Sequence, residues 1–346
     1  MRGLAALPPR VLRRISGRPV TVDGQQLHPE VQLALKLLEL AGEPELKELS
    51  VEQARARVAK DARTFEGPKF DVERVEELQL SGADGPLRAR RYRPRPVGGA
   101  QEDGSSPLLL YFHGGGFVVG DLDTHDNVCR FLAGQADVQV VSVEYRLAPE
   151  HPFPAACDDA LAAFRDVTAR ASELGIDPGR IAVGGDSAGG NLAAVVAQAG
   201  AGNGDAAPAF QMLLYPWLDL SEKRASYALF REGFYLSEAD VDWYVQHYLG
   251  EGADPRDPRC SPLLAEELGG VAPTYLATSG FDPLRDEGEE YGRRLRAAGV
   301  PVALHRQAQL IHGFANTIAV GRVGREALVQ ATGALRLGLA PRAREA

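Results

Sequence analysis

Two apolar periods alternate along this chain. The run Leu108-Leu109-Leu110-Tyr111-Phe112 and the segments 138–143, 181–184, 209–215, 273–279 and 301–305 are short and almost continuously apolar. They read as strands buried on both faces. Between and after them, 126–136, 155–174, 188–199, 284–298 and about 322–337 read as helices. Such alternation predicts a mostly parallel sheet covered on both faces, with right-handed crossovers. Ahead of it, 74–80 and 86–93 read as an antiparallel pair around Gly82-Ala83-Asp84-Gly85. No internal repeat is present.

Outside this alternation the pattern changes twice. Residues 1–26 read as a loosely ordered arm. Pro29–Ala41 is a strongly apolar helix, and Ser50–Phe65 an amphipathic one with Ser50 as N-cap and Gln53 three residues on. The two helices either pack outside the core or cover the site. The excess apolarity of the first favours a cap, which must face both a pocket and its own support. From Trp217 to Leu249 a polar-aromatic excursion, 219–235, leads into a helix at 238–249 with Trp243, Tyr244 and Tyr248. It is assigned to a second cap segment and the pocket wall. The expected organisation is arm and cap helices over 1–70, core over 71–216, second cap segment over 217–250 and core again over 251–346. Residues 94–107 read as a surface loop, and 340–346 as a frayed tail.

Composition narrows the function class. The chain has 346 residues, 45% hydrophobic and 25% charged, which suits one large α/β domain with a small cap. A net charge of −9 argues against nucleic acid and anionic membrane surfaces as partners. Cys129, Cys157 and Cys260 are scattered, offering neither a disulfide framework nor a metal site, so a reducing compartment is expected. The Arg-rich residues 1–19 lack a signal-peptide core, and no run approaches the ~18 apolar residues of a membrane span. Cytoplasmic location, no metal and no organic cofactor are the expectations.

The chemistry centres on Gly185-Asp186-Ser187-Ala188-Gly189-Gly190. It fits G-x-S-x-G between a predicted strand and a predicted helix, the context that holds a serine in a strained, exposed turn. Side chains at the flanking glycines would clash with the neighbouring strand and helix. A chance match is the competing reading in a chain with 38 glycines. An oxyanion hole is also required. The strand 108–112 runs into His113-Gly114-Gly115-Gly116-Phe117, whose glycines allow backbone N–H groups of Gly114, Gly115 and Gly116 to approach a substrate oxygen. The N–H of Ala188 would join them. A phosphate-binding loop fits poorly, because no Gly-Lys-Ser/Thr follows. Among seven histidines, His312 lies C-terminal to the serine in a loop-like segment, as the order Ser…Asp/Glu…His demands. His305 sits within a strand pattern, and His113 reads as loop-stabilising. Asp282 follows the strand 273–279 at its C-terminal end, where open α/β sheets build their sites, and also suits a helix N-cap. Asp286, Glu287, Asp219 and Asp242 are less well placed.

The combination of 113–117 and 185–190 resembles the hormone-sensitive-lipase-like (family IV) bacterial carboxylesterases of the α/β-hydrolase superfamily. So do the segments 120–126, 144–156, 282–288 and 312–314, and the resemblance spans about Leu27 to Leu337. It implies an α/β-hydrolase fold with a helical cap, Ser187 as nucleophile, His312 as base and Asp282 as orienting acid. It also implies an oxyanion hole from the His-Gly-Gly-Gly loop and Ala188. Asp186 places the chain with members carrying Asp before the serine. Ser279-Gly280-Phe281 departs from the small or acidic residues members often show before the acid. The expected activity is hydrolysis of short-chain soluble esters without cofactor, falling below about pH 6 because a histidine base must be neutral. Amide or aryl-acetamide deacylation uses the same machinery, and a non-catalytic small-molecule binder on the same fold is the rival from another class. The resemblance leaves oligomeric state open, with an edge-strand homodimer as an arrangement found among relatives.

Overall fold

The computed structural model describes residues 8–95, 105–202, 206–318 and 321–341. Most of the predicted loop 94–107 and of the tail 340–346 therefore lies outside the described residues. The elements, in chain order, begin with α1 (Pro9–Ser16), a two-residue pair β1 (Thr21–Val22) and β2 (Gln25–Gln26), α2 (Pro29–Ala41) and α3 (Val51–Phe65). The core follows as β3 (Arg74–Gly82), β4 (Gly85–Arg93), β5 (Ser106–Phe112), α4 (Asp126–Ala136), β6 (Gln139–Val143), α5 (Ala155–Ala169), β7 (Ile176–Asp186), α6 (Ala188–Gly202) and β8 (Phe210–Leu214). Then come α7 (Ala225–Leu229), α8 (Glu238–Leu249), β9 (Thr274–Phe281), α9 (Arg285–Ala297), β10 (Val302–Ile311) and α10 (Arg322–Gly338).

Eight strands form one sheet in the order β10-β9-β8-β7-β5-β6-β4-β3. All neighbours pair in parallel except β4 with β6 and β3 with β4. Along β5, Leu108, Leu110 and Phe112 join one apolar cluster with α5 and α6, while Leu109 and Tyr111 join another with α4 and α10. The period of two thus delivers every side chain of a continuous apolar run to a core. The outer strand β3 is mostly exposed or half-buried and carries Arg74, Glu76 and Glu77, charges that blunt a free edge.

Register decides where the chemistry goes. Phe112 pairs with Gly185, Asp186 with Leu214, Leu214 with Ala277, and Ile311 with Phe281. The residues that follow these strand ends, His113, Ser187, Tyr215, Asp282 and His312, therefore emerge together at the C-terminal edge of the sheet.

Several expectations shift, and the strand expected over 181–184 already begins at Ile176. The arm over 1–26 contains α1 and the β1–β2 pair, anchored by Gln25 Nε2 donating to the Gly280 carbonyl. The helix expected over 155–174 stops at Ala169. The loop expected around 309–311 is strand, because β10 runs to Ile311, and the turn begins only at His312. The apolar pattern there weakens, since β10 is an edge strand with exposed alternate residues. The capping box of α3 is present as expected, Ser50 Oγ accepting from Gln53 N and Gln53 answering Ser50 N.

Candidate active site

Ser187 sits on the one-residue step between β7 and α6, in the left-handed region at φ 53°. Few L side chains adopt that conformation without compensation. Here the elbow is held by Ser187 N donating to the Leu214 carbonyl and by the close approach of α6 to β5. A Cβ on Gly189 would overlap the Phe112 carbonyl, and one on Gly185 would overlap Gly189 and Phe112. Those glycines let strand and helix backbones touch.

Three expected residues meet here. His312 Nε2 lies 3.0 Å from Ser187 Oγ, and its Nδ1 lies 2.8 Å from Asp282 Oδ2. A carboxylate only accepts, so Nδ1 carries the proton and Nε2 is left to accept from the serine hydroxyl. All three side chains are largely withdrawn from solvent. The other Asp282 oxygen accepts the N–H of Leu284 at 2.9 Å, which ties it to the start of α9. The Tyr215 ring stands edge-on to His312 at 4.8 Å and limits its rotation.

The remaining candidates have other partners. His113 Nδ1 lies 2.8 Å from the Gly114 carbonyl, and its ring stacks on Tyr145 at 4.4 Å. Burial, aided by the nearby His125, lowers its pKa to about 4, so it is neutral near pH 7. His305 stacks on Tyr275 along β10 and β9. Asp219 is buried and bound to Ser221 and Arg224. Glu287 accepts the N–H groups of Leu218 and Asp219, and burial raises its pKa well above the usual carboxylate range. Asp242 pairs with Lys223, and Asp286 with Arg285.

Asp186 was legible only as a mark of subfamily, yet it ties the site together. It accepts from Tyr111 Oη at 2.7 Å, from Gly114 N at 2.9 Å and from Tyr215 Oη at 3.4 Å, and lies 3.3 Å from His125 Nε2. Burial opposes its ionisation, but His125 and these donors outweigh that and hold its pKa at about 2. Gly114 therefore spends its N–H on Asp186. Neither Tyr111 nor Tyr215 carries a sequence signal, because each reads as an apolar strand residue.

The chain matches the α/β-hydrolase-fold family model over residues 109–316. It is 46% identical over 330 residues to the carboxylic ester hydrolase LipN of Mycobacterium tuberculosis, covering 92% of this chain and 86% of that protein. The chain belongs to the hormone-sensitive-lipase-like carboxylesterases. It is also 38% identical to the ethyl acetate hydrolase of Pseudomonas putida, over 90% of this chain and 98% of that one. Among solved structures, an α/β hydrolase from the metagenome of Lake Arreo superposes with a TM-score of 0.85 at 43% identity, covering 90% of this esterase and 98% of that chain.

No described helix of the esterase is long and apolar enough to cross a membrane. Among the described residues, no cluster of His, Cys, Asp or Glu has the makings of a metal site, and all three cysteines are buried and free. A cavity of about 360 Å³ lies between α1, α2 and α10, lined by Leu12, His28, Glu30, Gln309 and Arg322 among others. It contains none of the groups around Ser187.

Proposed function

We propose that this carboxylesterase hydrolyses short-chain soluble esters through Ser187, His312 and Asp282, with an acyl-enzyme intermediate. The observation that carries this reading is His312 bridging Ser187 Oγ and Asp282 Oδ2 at 3.0 and 2.8 Å. Ser187 Oγ attacks the ester carbonyl as its proton passes to His312 Nε2. Asp282 holds the ring in that tautomer and stabilises the imidazolium. The oxyanion points to the N–H groups of Gly115, Gly116 and Ala188, since Gly114 N is engaged by Asp186. Removing one such donor typically costs about 3 kcal/mol of transition-state stabilisation. The tetrahedral adduct collapses, His312 protonates the leaving alcohol, and the same histidine then activates water to release the acid.

Helices α2 and α3 and the segment 217–250 form the cap in this reading. Arg55 of α3 supports it, donating to the Val118 and Ala148 carbonyls, and so do Trp217, Tyr244 and Tyr248, buried near Phe117. The acyl range is drawn from the bounded, aromatic surroundings of Ser187 and from likeness to a hydrolase of ethyl acetate. The test is a p-nitrophenyl ester series from acetate to palmitate. Wild type should turn over the short esters fastest. Ser187→Ala should lose at least about 10⁴-fold in kcat while remaining folded by circular dichroism. Full activity in Ser187→Ala, or a preference for palmitate, would overturn the reading.

A further inference from the structure

Backbone strain in this molecule is concentrated around Ser187. Among the described residues, six non-glycine positions have positive φ. Asp23 and Asp137 are of the type that tolerates it. The other four are Phe117, Ser187, Tyr215 and Tyr235. Phe117 follows the glycine loop, Ser187 is the elbow, and Tyr215 abuts His312. Tyr235, at φ 77°, has no place in the chemistry derived so far. A bulky aromatic residue there is strained, and such strain persists only where surrounding structure enforces it.

The enforcement is visible on both sides. Phe234 packs in a three-ring cluster with Phe230 and Phe281, at 5.6 and 5.3 Å, beside the strand end that carries Asp282. Two residues beyond Tyr235, Ser237 opens α8 with a reciprocal capping box to Asp240. Tyr235 is caught between these anchors. Its ring lies over Gly313, where a Cβ would stand 3.2 Å from Tyr235 Cε1, next to His312. Yet Tyr235 as a whole residue remains 56% exposed, while burial around its hydroxyl pushes the phenol pKa up to about 12.

Position relative to the base assigns a side of the substrate. His312 Nε2 returns its proton to the leaving oxygen, so the alcohol portion of the ester lies toward His312. The opposite loop is covered by a different ring, since a Cβ on Gly116 would overlap Tyr244. We propose that Tyr235 is the wall of the leaving-group subsite and selects esters of aryl alcohols through contact with its ring. The inference rests on the roles given above to Ser187 and His312. Aryl rings gain from offset or edge contact with a tyrosine beyond simple burial, whereas a small alkyl alcohol has little surface to offer it.

The experiment compares phenyl acetate with ethyl acetate, which share an acyl group, in wild type, Tyr235→Ala, Tyr235→Gly and Tyr235→Phe. Removing the ring should lower kcat/KM for phenyl acetate by about 3- to 10-fold, mainly through KM. Ethyl acetate should change by less than about 2-fold. Tyr235→Gly removes the ring without backbone strain and should match Tyr235→Ala. Tyr235→Phe keeps the ring and should stay near wild type. Folded Ala and Gly variants with an unchanged phenyl-to-ethyl ratio would overturn the proposal. So would a Phe variant as impaired as Ala, or a changed ratio between p-nitrophenyl acetate and butyrate in its place. Wild-type enzyme inert toward both acetates would overturn the ester-hydrolase roles, and this proposal with them.

Discussion

His113 illustrates how one side chain can serve position without taking part in proton transfer. Its Nδ1 faces the Gly114 carbonyl, an acceptor, so Nδ1 carries the proton and the buried Nε2 has no partner. Protonating Nε2 would place an unpaired charge in the core, and the pKa falls to about 4 from the ordinary 6.5. The consequence for stability has a definite sign. Between about pH 6.5 and 4 the unfolded chain holds a proton here that the folded chain lacks, so stability rises with pH through that window and is complete above it. The contribution is at most about 1.4 kcal/mol per pH unit. Urea unfolding at pH 4.5, 5.5 and 7.5 should show wild type weakening toward acid. His113→Gln should show a flatter dependence, and an identical slope in the two proteins would refute the assignment. His113 also shows what sequence alone can convey about a residue. A loop-stabilising role was legible from its place before three glycines. The withdrawn pKa was not, because it comes from burial and from His125, twelve residues away.

At the scale of elements, the strand–elbow–helix unit is the part of the fold most fully written in sequence. β7 and α6 were expected from an apolar run and an Ala-rich helix, and the glycines between them from contact with neighbouring backbone. Their necessity can be measured. Gly189→Ala would drive a Cβ into the Phe112 carbonyl, which belongs to a central strand and cannot move freely. It should destabilise by about 1–3 kcal/mol or more. Gly333, exposed within α10, has open space around the corresponding position. Gly333→Ala should stabilise by about 0.5–1 kcal/mol through helix propensity. Chemical denaturation of both variants separates a packing glycine from a tolerated one. β10 was less legible, and its last residues read as loop. An edge strand buries little on one side, so its apolar signal fades where pairing with β9 still holds it.

Across the whole molecule, segments distant in sequence are fastened to the edge of the sheet that carries Ser187. Arg55 of α3 donates to the Val118 and Ala148 carbonyls at 2.9 Å each and pairs with Glu150 at 2.6 Å. Arg285, buried at the start of α9, reaches Asp23 at 2.9 Å and lies over the Phe230 ring. These ties join the N-terminal helices and the β1–β2 turn to the loops around the site. Arg55→Met keeps the aliphatic stem and removes every one of its polar contacts. It should lower Tm by on the order of 2–4 °C, read by thermal circular dichroism. An unchanged Tm would mean that α3 is held by its apolar face alone.

The sequence by itself determined the parallel α/β sheet, the elbow serine, the glycine loop and the histidine after the last strand. Each is a local pattern: a buried strand needs a continuous apolar run, and a sharp turn needs glycine. Family resemblance added the expected partnership of Ser187, Asp282 and His312. Tertiary structure alone decided the rest. Strand register brought five strand ends to one edge. Asp186 met Tyr111, Tyr215, His125 and Gly114 across separations of 29 to 75 residues, engaging the first of the three loop N–H groups. Tyr235 came to rest on Gly313 through anchors on either side of it. No local pattern encodes such meetings, because a buried carboxylate or a strained ring is specified by what surrounds it in space.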